Sequence, residues 1–192
     1  MPSIRLTLLC LLSAVSAAGC SLFSGAPQGP GTPLSPEEAA FGNLGRPAFT
    51  LTGSGTQTFV CTRDKKGRYW RLEHSDVKLS LPGASRVLVR QKTDFTFVSS
   101  DGSMLSARVF KWVSGASTGD LKSILFRTRS RGLPGRLTGI TRVLRDEARG
   151  GQPQTLCSAS QTGQEKTIAF TARYRFYRRQ LRPAENSRNS RL

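Results

Sequence analysis

From Thr167 to Phe176 apolar and polar side chains alternate. Ile168, Phe170, Ala172, Tyr174 and Phe176 share one parity, and Thr167, Thr171, Arg173 and Arg175 the other. A helix would scatter that apolar set around its axis, whereas an extended strand places it on one face. Shorter segments of the same kind run over 56–62, 69–72, 77–81, 86–89, 95–98, 104–113, 124–129 and 137–144. Between two of them lies Ser100-Asp101-Gly102-Ser103, where glycine after aspartate supplies the positive φ of a tight hairpin. The chain has no long helix-period segment and no alternation of strands with helices. This pattern predicts an all-β domain over 49–179, a sandwich or barrel of mainly antiparallel strands, preceded by one short N-terminal helix.

The first residues follow different rules. Met1 to Arg5 lead into an apolar run from Leu6 to Ala18, which has the length of an export signal and is too short to span a bilayer as a helix. Ala17-Ala18-Gly19-Cys20 resembles a bacterial lipobox, with Ala17 where a larger aliphatic residue is usual. Residues 1–19 are therefore expected to be a lipoprotein signal peptide, with Cys20 lipidated as the first mature residue. Acyl chains would then hold the protein in the cell envelope. Ser21 in place of Asp after Cys20 points to the outer membrane facing the periplasm. The alternative is cleavage at Ala14-Val15-Ser16 or Ser16-Ala17-Ala18, which would yield a secreted or soluble periplasmic protein.

Residues 20–48 read as a flexible tether rich in Gly, Pro, Ala and Ser, with a short helix near 35–41. Ser35-Pro36-Glu37-Glu38 supplies a capping box with proline at the first helical position, and Gly42 ends the turn. The last residues, 180–192, are polar and arginine-rich and read as a disordered basic tail.

With Cys10 in the signal and Cys20 assigned to lipid, Cys61 and Cys157 remain, an even pair in an oxidising compartment and hence a disulfide. A zinc site needs more N or S ligands than two distant cysteines and the single histidine supply. A catalytic thiol would depend on His74 as its base.

Further landmarks occur in order: Gly55-Thr56-Gln57, Phe59 and Cys61; Asp101-Gly102-Ser103; Ile140, Arg142 and Val143; Gly150-Gly151; Cys157; and Tyr174-Arg175-Phe176-Tyr177. Together they resemble a bacterial and fungal family of secreted proteins catalogued as a domain of unknown function. The resemblance implies one extracytoplasmic domain with the two cysteines paired and no established activity. Where such proteins often carry His and then Gly-Pro-Thr-Trp, this chain has Gln91 and Asp94-Phe95-Thr96-Phe97. Some fungal relatives carry a malate dehydrogenase label. No G-x-G-x-x-G follows a strand here to support that chemistry.

The sequence offers little for catalysis. Gly115-Ala116-Ser117-Thr118-Gly119 fits a nucleophile-elbow spacing, but the only histidine, His74, precedes it, whereas in that hydrolase fold the histidine follows. His74 lies between Glu73 and Asp76, carboxylates able to orient it. With 12 acidic residues in all, mostly in turn-like segments, a carboxylate pair for acid/base work is hard to find. No catalytic residue, cofactor or metal is assigned, and the protein reads as a non-enzyme.

Charge is the strongest remaining feature. The chain holds 29 Lys and Arg against 12 Asp and Glu, a net +17. Arg127, Arg129 and Arg131 recur at strand spacing on one face, as do Arg173 and Arg175 on another, and arginine's planar fork suits phosphate. The reading is a non-enzymatic envelope lipoprotein with a cationic face for anionic lipids, lipopolysaccharide or cell-wall polymer. Nucleic acid is not expected, because export separates the chain from it and no recognition motif is present. The alternative is a β-sandwich or barrel enclosing a small apolar or carbohydrate ligand.

Overall fold

A computed structural model describes residues 36–179, so Cys20 and the tail from residue 180 lie outside the described residues. A six-residue helix, α1 (Pro36–Phe41), precedes eight strands. These are β1 (Phe49–Asp64), β2 (Gly67–Ser80), β3 (Val87–Gln91), β4 (Phe97–Ser99), β5 (Ser103–Val113), β6 (Ser123–Gly132), β7 (Ile140–Gly150) and β8 (Glu165–Arg178). Each strand pairs antiparallel with the next, and β8 returns to β1 in register from Phe49 opposite Phe176 to Val60 opposite Glu165. The sheet is thus a closed barrel, which leaves no unpaired edge to aggregate. Of the two all-β architectures expected from the sequence, the barrel is the one formed.

The alternation of β8 maps onto this closure: Phe170, Ala172, Tyr174 and Phe176 are buried inside. Phe97 packs edge-on against Phe126, Tyr174 and Phe176, with centroids 6.1, 6.3 and 5.9 Å away, and these four rings fill the centre. Tyr174 needs Gly53 opposite, because a Cβ there would enter its ring. Outward positions such as Thr52, Ser54, Thr171 and Arg173 are polar or charged, the reverse of the apolar outer band of a membrane barrel.

The two short segments expected at 69–72 and 77–81 are one strand, β2. The pairing jumps from Thr58 opposite His74 to Phe59 opposite Leu72, so Glu73 is an extra residue. This bulge shifts the parity midway, which divided one strand into two apparent ones and moved His74 from an apparent loop into the sheet.

Outside the barrel, Phe41 of α1 is buried with Leu125, Leu144 and Tyr177, so the helix docks on β6, β7 and β8. Gly42 follows at φ +76°, the left-handed residue that ends such a turn.

The Asp101-Gly102 hairpin forms as expected, with Gly102 at φ +83°. Asp101 accepts bonds from the Ser103 hydroxyl at 2.5 Å, the Ser103 amide at 3.0 Å and the Arg136 amide at 2.8 Å. It thereby ties the β4–β5 hairpin to the β6–β7 loop. These donors, led by the Ser103 hydroxyl, hold its carboxyl well below the usual carboxylate range. A carboxyl depressed in the folded state contributes stability above its unfolded pKa and loses it as pH falls through the carboxylate range. Urea midpoints measured downward from pH 5 should therefore fall more steeply for the parent than for Asp101→Asn. Parallel curves would show that this network does not contribute.

Candidate functional site

Three arginines stand in a row across neighbouring strands. Arg108 of β5 is directly opposite Arg127 of β6, and Arg127 is directly opposite Arg142 of β7. Directly opposed residues share a face, and here it is the outer one, because their neighbours Phe126 and Val143 are buried inside. Like charges so placed repel and destabilise a sheet. Arg129 and Arg131 continue the same side of β6 at steps of about 7 Å.

The row forms the floor of an open groove of about 660 Å³, walled by Asn43 and Leu44 after α1 and by Tyr177, Arg178 and Arg179 at the end of β8. No Asp or Glu lines it. Two of its arginines are held in place: the Arg131 Nε donates to the Ser106 hydroxyl at 3.2 Å, and the Arg127 guanidinium lies 3.7 Å from the Phe110 ring centroid. Seven arginines line the groove and no carboxylate does. Such an arrangement suits an anion able to take several bidentate pairs.

Arg173 and Arg175 behave differently. Both point outward from β8, as their parity predicts, but Asp146 of β7 is opposite Arg173. Arg173 donates through Nε and Nη2 to the two Asp146 oxygens at 3.1 and 3.0 Å and also reaches Glu147 at 2.8 Å. Arg175 donates to Asp146 as well. Hydrogen bonding to Asp146 is the main reason the Arg173 pKa is raised. The structure thus places three of the five singled-out arginines in the groove and two in a carboxylate-centred cluster. Arg108, Arg142, Arg178 and Arg179 complete the groove. The sequence did contain one pointer to them: Asp120 is the only acidic residue from Gly102 to Arg145.

The other singled-out positions have structural surroundings. The Ser117 amide donates to Asp120 at 3.2 Å, and Asp120 also accepts from the Gly150 amide at 2.7 Å. These bonds, led by Gly150, lower the Asp120 pKa. A ring nitrogen of His74 is 3.2 Å from the Thr93 hydroxyl, while the flanking Glu73 and Asp76 pair with Arg71 and Arg90. Nothing in these contacts joins His74 to Ser117. Asp94-Phe95-Thr96 forms the β3–β4 turn, with the Asp94 carboxylate accepting from the Thr96 amide and hydroxyl at 2.9 Å. Phe95, at φ 60°, tucks against Phe126. Cys61 and Cys157 are disulfide-bonded, with Cα atoms 5.9 Å apart. Among the described residues, no group of three or more His, Cys, Asp and Glu is placed to hold a metal, and no helix is long and apolar enough to cross a membrane.

The resemblance to a family catalogued as a domain of unknown function is borne out over the second part of the chain, while the landmarks from Gly55 to Cys61 lie outside the match. Residues 85–178 match the family model described as Protein of unknown function (DUF3455), a stretch that runs from just before β3 to the end of β8. No curated protein and no solved structure matches the chain.

Proposed function

We propose, for a barrel whose family has no assigned activity, that this protein is a non-enzymatic binding module of the cell envelope whose arginine groove takes a phosphate-bearing anion. The observation that carries the reading is the row Arg108, Arg127 and Arg142, directly opposed across three strands with no Asp or Glu lining the groove around it. A sheet that accepts this repulsion without an internal counter-charge gains most from an external one. The lipobox-like Ala17-Ala18-Gly19-Cys20 supports an acyl anchor at Cys20, which would keep the groove close to envelope phosphates such as those of lipopolysaccharide or anionic phospholipids. The alternative of an enclosed ligand has less support, because Phe97, Phe126, Tyr174 and Phe176 occupy the barrel centre.

The test uses the chain with Cys20→Ser, so that no acyl group contributes to binding. Association with lipopolysaccharide or anionic vesicles should weaken steeply between low and physiological salt, as screening requires. The triple variant Arg127→Gln/Arg129→Gln/Arg142→Gln should bind at least about tenfold more weakly, the effect of losing roughly 1.4 kcal/mol. Arg173→Gln should change binding little, because its guanidinium is committed to Asp146 and Glu147. Equal binding by the triple variant and the parent would refute the groove.

A further inference from the structure

We infer that the second half of β5 forms a ridge that docks the barrel onto an anionic lipid surface, its aromatic side chains entering the interface while the arginine groove takes headgroup phosphates. The latter contact rests on the groove reading above; the ridge rests on separate observations.

The first is exposure where a strand normally buries one face. All six residues from Arg108 to Val113 are exposed, although four are large and apolar: Val109 (40%), Phe110 (42%), Trp112 (54%) and Val113 (36%). By their pairing Trp112 shares the face of Ile124 and Val113 that of Ser123, so both faces of this strand end carry exposed apolar side chains, and such exposure on a charged protein marks an interaction site. The second is local geometry. The β5–β6 pairing skips from Val109 opposite Phe126 to Lys111 opposite Leu125, so Phe110 is the extra residue of a bulge. Bulges redirect side chains, and this one brings Phe110 beneath Arg127 on the outer surface.

The third observation is the company these side chains keep. The Lys122 Nζ lies 3.6 Å from the Trp112 ring centroid, Arg127 covers Phe110, and Lys111 lies between the two aromatics in sequence. Asp120, the single acid between Gly102 and Arg145, is turned away to the Ser117 and Gly150 amides and Arg149. Protein interfaces are depleted in lysine at their core. A phosphate-rich polymer in the groove would have no use for bare Trp and Val beside it. Two exposed aromatic rings, Phe110 under Arg127 and Trp112 under Lys122, match the boundary of an anionic bilayer, where amphipathic rings sit at headgroup depth and cations meet phosphate. Ridge and groove share β5 and β6, so a surface touching Phe110 also meets Arg127.

Intrinsic fluorescence tests this directly, because the chain has two tryptophans. The Cys20→Ser chain carrying Trp70→Phe reports on Trp112, and the same chain carrying Trp112→Phe instead is the control. With vesicles of phosphatidylcholine and phosphatidylglycerol, Trp112 emission should shift to the blue and be quenched by bromine-labelled acyl chains, and the control should show neither. Trp112→Ser/Val113→Ser, which leaves Phe110 under Arg127, should lower vesicle affinity at least tenfold while leaving binding of soluble polyphosphate unchanged. The triple arginine variant should lower both. Salt-sensitive vesicle binding with unmoved, unquenched Trp112 emission would overturn the ridge and leave the groove standing. Loss of vesicle and polyphosphate binding by the parent would remove both. Trp112 emission already blue-shifted without lipid, in a protein of doubled mass in solution, would assign the ridge to a second copy of the chain and overturn the lipid proposal.

Discussion

Asp146→Ala is expected to destabilise the barrel by about 3–5 kcal/mol, the range for removing one partner of a buried ion cluster. Asp146 is 5% exposed and lies between two guanidinium groups. Truncating it leaves the Arg175 side chain, 17% exposed, without this carboxylate in a place where water reaches it poorly. Arg173 is about twice as exposed and keeps Glu147 as a partner, so Arg173→Met should cost distinctly less. Replacing all three groups by apolar residues of similar size should restore much of the loss, since a satisfied apolar cluster avoids the desolvation that the ions incur. Urea unfolding of the three variants checks this ordering. An Asp146→Ala loss below about 1 kcal/mol, the value of a surface ion pair, would show that the cluster is effectively solvated.

Removing the disulfide with Cys61→Ala/Cys157→Ala is expected to cost about 2–5 kcal/mol. The bond spans 96 positions of sequence, and chain-entropy arguments give about 4.7 kcal/mol for a loop of roughly that length, before any compensation. Its effect falls mainly on the unfolded chain, because the folded state holds the same junction by other means: the Cys61 amide donates to the Gln164 carbonyl at 3.0 Å, and the Gly163 amide donates to the Cys61 carbonyl at 2.9 Å. The variant should therefore keep the barrel's far-ultraviolet spectrum at 25 °C while its urea midpoint drops to that of the reduced parent. A midpoint equal to the oxidised parent's would mean that the crosslink adds nothing, and a lost spectrum would mean that the barrel needs it to form.

These two predictions draw on residues of different legibility. The cysteine pair was readable by counting once residues 1–19 were read as an export signal, because two leftover cysteines in an oxidising compartment have few other uses. Asp146 was not singled out, since nothing in Leu144-Arg145-Asp146-Glu147 announces that it opposes Arg173. The same limit separated the five basic residues chosen from their spacing. Parity put Arg127, Arg129 and Arg131 on one outer face and Arg173 and Arg175 on another, and both assignments hold. Which face was compensated depended on the neighbouring strand: Arg142 stands opposite Arg127, and Asp146 opposite Arg173.

Side-chain alternation, hairpin glycine, cysteine pairing and the absence of acids around β5 and β6 are properties of the chain taken a few residues at a time. They were enough to determine an all-β, disulfide-tied domain with a cationic region. Closure of β8 onto β1, the parity change at the β2 bulge, the row of arginines and the uncovered ridge of β5 were decided only by tertiary structure. Each depends on register between strands, where a shift of one residue turns every side chain to the other face. Register is set by the packing of the whole barrel around Phe97 and Tyr174, which no single segment encodes.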